Sequence, residues 1–215
     1  MKKFRTELVF ILDRSGSMSG LEADTIGGYN SMLQKQKLIP SEVSVTTVLF
    51  DDRYELLHDR ANIMGISDIT SDDYFVRGNT ALYDAVGKTI NKIENSQKHL
   101  NSDHKASQVI FVITTDGMEN SSREYSSEMV RNMINSKKET GWEFIFLGAN
   151  IDAIATAREF GIPENRAANY HADSKGTRLN YEVVSEAISC LRAQKCISDD
   201  WKAEIDKDYE ERSES

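Results

Sequence analysis

Near its start the chain reads Leu8-Val9-Phe10-Ile11-Leu12-Asp13-Arg14-Ser15-Gly16-Ser17. Its first five side chains form a continuous apolar run, which predicts a strand covered on both faces, as in a parallel sheet flanked by helices. The run ends in a carboxylate, Asp13, and two hydroxyls follow at Ser15 and Ser17. A central strand and a cluster of oxygen-bearing side chains therefore meet at one point of the chain.

Further strands and helices alternate along the rest of the chain. Strand patterns lie at residues 43–50, 109–113 and 144–147, and helical patterns at 21–37, 80–95, 125–139, 151–160 and 177–195. This alternation indicates the α/β class: a doubly wound, mostly parallel, Rossmann-like sheet with helices on both faces. Residues 54–57 follow the second strand too closely for a parallel crossover and predict one antiparallel edge strand. A last short strand is expected near residues 167–171.

The bulk composition is typical of a soluble globular protein, with 39% apolar and 28% charged residues in a chain of 215. We predict one domain at residues 1–196 and an acidic C-terminal tail at residues 197–215. Residues 198–215 hold eight acidic and three basic side chains, a net charge of −5. Such a segment is expected to be solvated and frayed and to add little to the core.

Charge and hydropathy exclude several classes of function. A net charge of −9 argues against nucleic-acid binding, because phosphates require a basic face. The apolar stretches are too short to span a membrane, and no secretion signal is readable. Cys190 and Cys196 lie about 240° apart around a predicted helix, which disfavours a disulfide between them. Free thiols favour a reducing compartment, so a cytoplasmic location is expected.

Two more loops place oxygen atoms near the end of the first strand. Asp116 follows the strand at residues 109–113, and Thr80 opens the helix at residues 80–95. In an open α/β sheet, ligands bind beyond the carboxyl ends of the strands, near the point where the strand order reverses. Loops that leave neighbouring strands there can meet at a single point.

Two carboxylates and three hydroxyls form a set of oxygen ligands that suits a hard cation, and we predict Mg²⁺ or Mn²⁺ ahead of Ca²⁺. The predicted ligands are Asp13, Ser15, Ser17, Thr80 and Asp116. If the hydroxyls bind directly and the aspartates act partly through water, the ligand set carries little charge. The cation then attracts a carboxylate from outside, which predicts a protein partner that presents Asp or Glu.

These residues resemble the von Willebrand factor A domain and its metal-ion-dependent adhesion site (MIDAS). That family is recognised by an Asp-x-Ser-x-Ser loop, a distant Thr and a later Asp-Gly, and all of these positions are filled here. The resemblance covers about residues 5–195. Residues 78–82 and 146–150 also look like small bacterial members of the tellurium-resistance and stress-response type. The resemblance to the von Willebrand factor A domain implies a protein-binding module. In such a module, Thr80 would coordinate the ion directly when an acidic ligand is bound, while Asp116 would withdraw to a water-mediated position.

Each of these residues also has an ordinary structural explanation. Ser15 and Ser17 can cap the helix near Leu21, Thr80 can cap the helix after it, and Asp116-Gly117 is a common turn pair. The nearby Asn30, Asp51 and Asp52 are expected to serve as turn, packing or supporting residues. Glu119 and Asn120 follow Asp116 closely enough to rim the site, although simple surface exposure explains them equally well.

An enzyme remains the alternative, as a Mg²⁺-dependent phosphoester hydrolase or phosphotransferase. Phosphotransferases that begin with a carboxylate after the first strand carry a second Asp two residues later, where this chain has Ser15. A serine hydrolase would need Gly-x-Ser-x-Gly, and residues 16–20 have Met at the centre. No phosphate-binding Gly-Lys-Ser/Thr loop follows the first glycines. The sequence therefore predicts a binding module rather than an enzyme.

Overall fold

One sheet of five parallel strands and one antiparallel strand organises the computed structural model, which describes residues 4–193 and 196–213. The described residues form six strands: Arg5–Asp13 (β1), Glu42–Phe50 (β2), Tyr54–Asn62 (β3), Gln108–Thr115 (β4), Glu143–Ala149 (β5) and Ala167–Tyr170 (β6). They also form six α-helices: Glu22–Lys37 (α1), Leu82–His99 (α2), Ser127–Glu139 (α3), Ala153–Glu159 (α4), Ser174–Arg192 (α5) and Ala203–Ser213 (α6).

The strand order is β3-β2-β1-β4-β5-β6, and only β3 runs antiparallel to its neighbour. The order reverses between β1 and β4, so a crevice opens there beyond their carboxyl ends. The predicted fold class is confirmed, including the antiparallel edge strand and the short last strand.

Alternate residues of the central strands serve two separate cores. On β1, Leu8, Phe10 and Leu12 face a core shared with α1, α5 and α6. Val9 and Ile11 face a second core, which α2, α3 and α4 cover. The uninterrupted apolar run at the start of the chain follows from this burial on both faces.

The ends of several elements differ from the prediction. β3 continues to Asn62 despite its polar residues, because an edge strand needs only one bonded side and tolerates charge. α5 begins at Ser174, earlier than expected, since the Asp173 side chain accepts a hydrogen bond from the amide of Gly176 and caps the helix.

The expectation that the acidic tail is solvated and frayed is wrong for the residues that the structure describes. Residues 203–213 form α6, and Ile205 is buried in the core beside α5. The Trp201 indole donates a hydrogen bond to the carbonyl of Asn165, and the Tyr209 ring stacks on His171. The segment after residue 196 therefore packs on the domain. The boundary at residue 196 itself stays a prediction.

Two other expectations concern the surface. Cys190 and Cys196 are exposed free cysteines, as predicted. In the described part of the chain, no helix combines the length and the apolar character needed to cross a membrane.

Candidate metal centre

Four of the five predicted ligands form one chain of hydrogen bonds across the crevice between β1 and β4. The Thr80 hydroxyl donates to Ser15 Oγ at 3.0 Å, and Ser15 Oγ lies 3.0 Å from Ser17 Oγ. Ser17 Oγ in turn donates to Asp116 Oδ1 at 2.6 Å. Three loops that are far apart in sequence therefore bring these side chains to one place, as the sequence predicts.

Asp13, the fifth residue, lies behind the serines. The hydroxyl of Thr115, the last residue of β4, donates to Asp13 Oδ2 at 2.6 Å, and the Ser15 amide donates to Asp13 Oδ1 at 2.7 Å. The Tyr74 hydroxyl donates to the Asp13 carbonyl at 2.5 Å. Both carboxylate oxygens of Asp13 thus accept a hydrogen bond from the protein itself. Sequence reasoning missed Thr115 and Tyr74, and a hydroxyl residue at the end of a buried strand was the only available signal for Thr115.

The two carboxylates carry charge in a buried setting. Burial raises the pKa of Asp13 to about 6, although hydrogen bonds from Thr115 and Ser15 oppose the shift. Burial also raises the pKa of Asp116, against the hydrogen bond from Ser17. Within residues 4–193 and 196–213, neither carboxylate pairs with Lys or Arg, and Asp116 Oδ2 has no hydrogen-bond partner. Buried carboxylates without a cationic partner are the kind of environment that a bound cation would stabilise.

Gly117 leaves space in front of the hydroxyls. A methyl group at its Cα would lie 2.9 Å from both Ser17 Oγ and Thr80 Oγ1, and 3.7 Å from Ser15 Oγ. The three hydroxyls therefore surround a small volume that only glycine leaves open. The residues fit a hard divalent cation, because every donor atom in the set is oxygen. Elsewhere among the described residues, no group of three or more His, Cys, Asp or Glu side chains could hold a metal.

The capping roles that could have explained these hydroxyls are not used. Ser15 precedes a short 3₁₀ turn without a side-chain cap bond, and α1 begins after Leu21, also without one. The residue before α2 is Ala81 rather than Thr80, and it likewise makes no side-chain cap bond. The hydroxyls thus remain directed at one another and at Asp116.

The loop after β4 supplies the missing caps for α2. Glu119 accepts a hydrogen bond from the Tyr83 amide at 2.9 Å. Asn120 binds Thr80 twice: its side chain accepts from the Thr80 amide at 2.9 Å, and its own amide donates to the Thr80 carbonyl at 3.0 Å. Glu119 and Asn120 therefore join the loops of Asp116 and Thr80 into one unit, which is a more specific role than rimming the site.

A buried ion-pair network supports the first loop from the other side. Arg14 is fully buried, and its guanidinium donates to Asp51 at 3.0 Å and to Glu55 at 2.6 Å. Arg77 donates to the same Asp51 oxygen at 2.7 Å. Burial works against ionisation of Asp51, but the hydrogen bonds and charges of both arginines lower its pKa. Nothing in the sequence pattern predicted this network.

The remaining residues near the site act as expected from the sequence. Asn30 exchanges two hydrogen bonds with the backbone of Ile69, each 2.9 Å long, and fixes that loop against α1. Asp51 belongs to the ion-pair network, and Asp52 is exposed. None of the three joins the hydrogen-bonded chain of ligand candidates.

No family model matches the chain, and no curated protein matches it in sequence. Solved structures do match. The vWF domain of a type V pili tip protein from Porphyromonas gingivalis has a TM-score of 0.58 at 11% identity and covers 88% of this chain and 96% of its own. The pilus adhesin SpaC from Lactobacillus rhamnosus GG has a TM-score of 0.64 at 11% identity, with coverages of 87% and 30%.

A third similar structure is proximal thread matrix protein 1 from the mussel byssus, solved with a zinc-occupied MIDAS motif. It has a TM-score of 0.58 at 15% identity and covers 87% of this chain. This chain spans only 46% of the mussel protein. At these identities the likeness establishes the fold, which is that of von Willebrand factor A domains.

Proposed function

We propose that this chain, which has the von Willebrand factor A fold, is a binding module that holds one divalent cation through Asp13, Ser15, Ser17, Thr80 and Asp116. We further propose that the cation is Mg²⁺, replaceable by Mn²⁺, and that the site grips an Asp or Glu of a protein partner. The observation that carries the proposal is the convergence of three hydroxyls, none of which caps a helix, on the space in front of Gly117, next to a buried Asp116 whose Oδ2 has no hydrogen-bond partner among the described residues.

In this proposal Asp13 supplies negative charge near the ion, whereas the hydroxyl side chains contact the ion directly. Asp13 contributes negative charge from behind, because Thr115 and the Ser15 amide occupy its oxygens. Ser15, Ser17 and Thr80 offer neutral oxygens on the open side. When bound, a hard cation in such a weakly charged set supplies an electrophilic centre that favours a carboxylate over an amide or a hydroxyl.

The loops are already assembled for this role. Asp13 and Asp116 stand at or just after the ends of rigid strands, and Asn120 ties the Thr80 backbone to the Asp116 loop. Little ordering cost therefore remains to be met when the ion binds.

The cellular setting is also a proposal. The free, exposed cysteines support a reducing compartment and hence a cytoplasmic protein. The resemblance of residues 78–82 and 146–150 supports a bacterial protein of the tellurium-resistance and stress-response type.

The test separates holding the metal from using it. Mn²⁺ affinity is measured by titration calorimetry, and a random heptapeptide library is selected on the immobilised protein in Mg²⁺ and eluted with EDTA. We expect eluted peptides to be enriched in Asp and Glu. Thr80→Ala should keep the fold and most of the Mn²⁺ affinity, yet bind the selected peptides at least tenfold more weakly, about 1.4 kcal/mol. Asp13→Ala should weaken both.

Three results would overturn the proposal. They are a parent protein that binds no Mn²⁺, an EDTA eluate without acidic enrichment, and a Thr80→Ala variant that binds the peptides as tightly as the parent. Hydrolysis of p-nitrophenyl phosphate that depends on Mg²⁺ and is lost in Asp13→Ala would support the phosphoester hydrolase instead.

A further inference from the structure

The surface around the metal centre differs in charge from the rest of the protein. Every exposed residue within 13–20, 77–80 and 116–120 is uncharged, although the chain as a whole has a net charge of −9. The exposed residue types there are Gly, Ser, Asn and Met. Depletion of charge with enrichment of aromatic residues, Met and Arg marks the centre of protein–protein interfaces.

Two acidic residues that lie close to the site are turned inward. Glu119 accepts hydrogen bonds from the amides of Tyr83, Ser121 and Ser122, and from the Ser122 hydroxyl. Asp51 is buried between two arginines. Neither of these two carboxylates therefore faces an approaching partner, and the exposed Asp52 beside Gly78 is the nearby carboxylate that an incoming acidic group meets.

Phe75 is an exposed aromatic side chain on the loop that leads to Thr80. Phe75 is 42% exposed. The guanidinium groups of Arg14 and Arg77 lie 5.4 and 5.3 Å from the centroid of its ring. Both arginines are fixed by Asp51, so the ring rests on a rigid base. A pre-positioned aromatic ring of this kind is a typical binding anchor.

Met118 is the counterpart of Phe75 on the other side of the crevice. It lies two residues after Asp116 and is 75% exposed. Phe75 rests on the network at the end of β2, whereas Met118 follows β4, and β1 lies between these two strands. We call Phe75 and Met118 the apolar rim.

We propose that the apolar rim binds a partner segment in which the metal-bound Asp or Glu is flanked on both sides by apolar side chains. This inference rests on the proposed function and specifies its partner. Neighbouring strands are about 4.8 Å apart, and an extended chain rises about 3.3 Å per residue. Phe75 and Met118 each lie about one or two strand spacings from the metal centre. An extended partner segment covers that distance with about one to three residues on either side of its metal-bound Asp or Glu.

The experiment uses the same peptide selection and four serine variants. Phe75→Ser and Met118→Ser remove the apolar rim. Leu38→Ser and Met64→Ser are matched controls, because these residues are 83% and 68% exposed but lie after α1 and β3, at the opposite end of the sheet. Phe75→Leu tests whether apolar character alone suffices.

We expect most EDTA-eluted peptides to carry an aromatic or aliphatic residue within three positions on each side of Asp or Glu. Phe75→Ser and Met118→Ser should each weaken peptide binding at least fivefold while Mn²⁺ affinity stays within twofold of the parent. The two control variants and Phe75→Leu should bind peptides like the parent. Unchanged Mn²⁺ affinity also shows that the fold of the site is intact.

Failure of this inference is distinct from failure of the proposed function. Acidic peptides without apolar neighbours, or rim variants that bind within twofold of the parent, would overturn the apolar rim and leave the metal site standing. A rim variant that loses Mn²⁺ affinity would also overturn it, because Phe75 or Met118 would then support the metal site rather than the partner. A complete lack of chelator-sensitive peptides would overturn both.

Discussion

Gly117→Ala is the substitution that tests the geometry of the metal centre most directly. The added methyl group would lie 2.9 Å from both Ser17 Oγ and Thr80 Oγ1. Ordinary carbon contacts lie near 3.5 Å, so each hydroxyl must move by about 0.5 Å or rotate away. The change adds no charge and removes no ligand.

The expected loss follows from the tolerance of the ion. Mg²⁺ holds its ligands near 2.0–2.1 Å in near-ideal octahedral geometry, and a shift of about 0.5 Å exceeds the tolerance of about 0.2 Å. Two of the three hydroxyls would then be lost or weakened. We expect the affinity for Mn²⁺, which binds in the same manner, to fall by about ten- to hundredfold, or about 1.4–2.7 kcal/mol.

The assay is a Mn²⁺ titration of the parent, Gly117→Ala and a control, Gly16→Ala. A methyl group at Gly16 would approach nothing closer than 3.5 Å, the distance to the Gly78 carbonyl, so the control should match the parent within twofold. The melting temperature of each metal-free variant checks that the fold is retained. If Gly117→Ala binds Mn²⁺ as tightly as the parent, the hydroxyls of Ser17 and Thr80 do not serve the ion.

Three further predictions concern protonation, the last helix and the buried arginine. Because the pKa of Asp13 is raised to about 6, protons compete with the cation below that pH. The Mn²⁺ affinity measured by titration should therefore fall about tenfold from pH 7 to pH 5. An affinity that does not change with pH would contradict this prediction. Ile205→Ala should lower the free energy of unfolding in urea by about 2–4 kcal/mol, whereas a solvated tail would show almost no change. Arg14→Met leaves Asp51 buried with one arginine fewer and should lower the free energy of unfolding by about 3 kcal/mol. Arg77→Met, at a partly exposed position, should lower it by less than half as much, and equal losses would refute the distinction.

The fold and the location of the site could be predicted because both depend on local patterns. Apolar runs buried on two faces identify the parallel strands, and the polar residues directly after them must lie at the carboxyl edge of the sheet. Asp13 and Asp116 follow such runs, so their proximity is set by topology alone. Thr80 is predicted from the hydroxyl that opens the helix at residues 80–95, and the resemblance adds support there, since the residues around it fit a helix cap as well as a ligand.

The docking of the last helix could not be predicted from composition. Residues 198–215 have a net charge of −5, but charge counted along a segment does not show which side chains face inward. Ile205 is the buried contact, and acidic residues on either side find partners: Asp208 pairs with Lys175 and with Arg212. Ile205, the ring of Tyr209 on His171, the preceding Trp201 and these ion pairs together fix a short helix whose average character is that of a solvated tail.

The hydrogen bonds at the start of α2 explain why the hydroxyls of the proposed site do not serve as helix caps. A helix start leaves amide groups that must find acceptors, and threonine is among the residues that usually provide one. Here Glu119 and Ser122 accept from the Tyr83 and Asp84 amides, and Asn120 binds the Thr80 backbone, all from the loop that also carries Asp116. The Thr80 hydroxyl is thereby released to face the serines. The same bonds join the two loops. The side chains of Thr80 and Asp116 can therefore change their contacts with a bound ion by side-chain rotation, without movement of the loop backbone. Under the proposed function, a partner would consequently meet a surface whose backbone is already held by these hydrogen bonds.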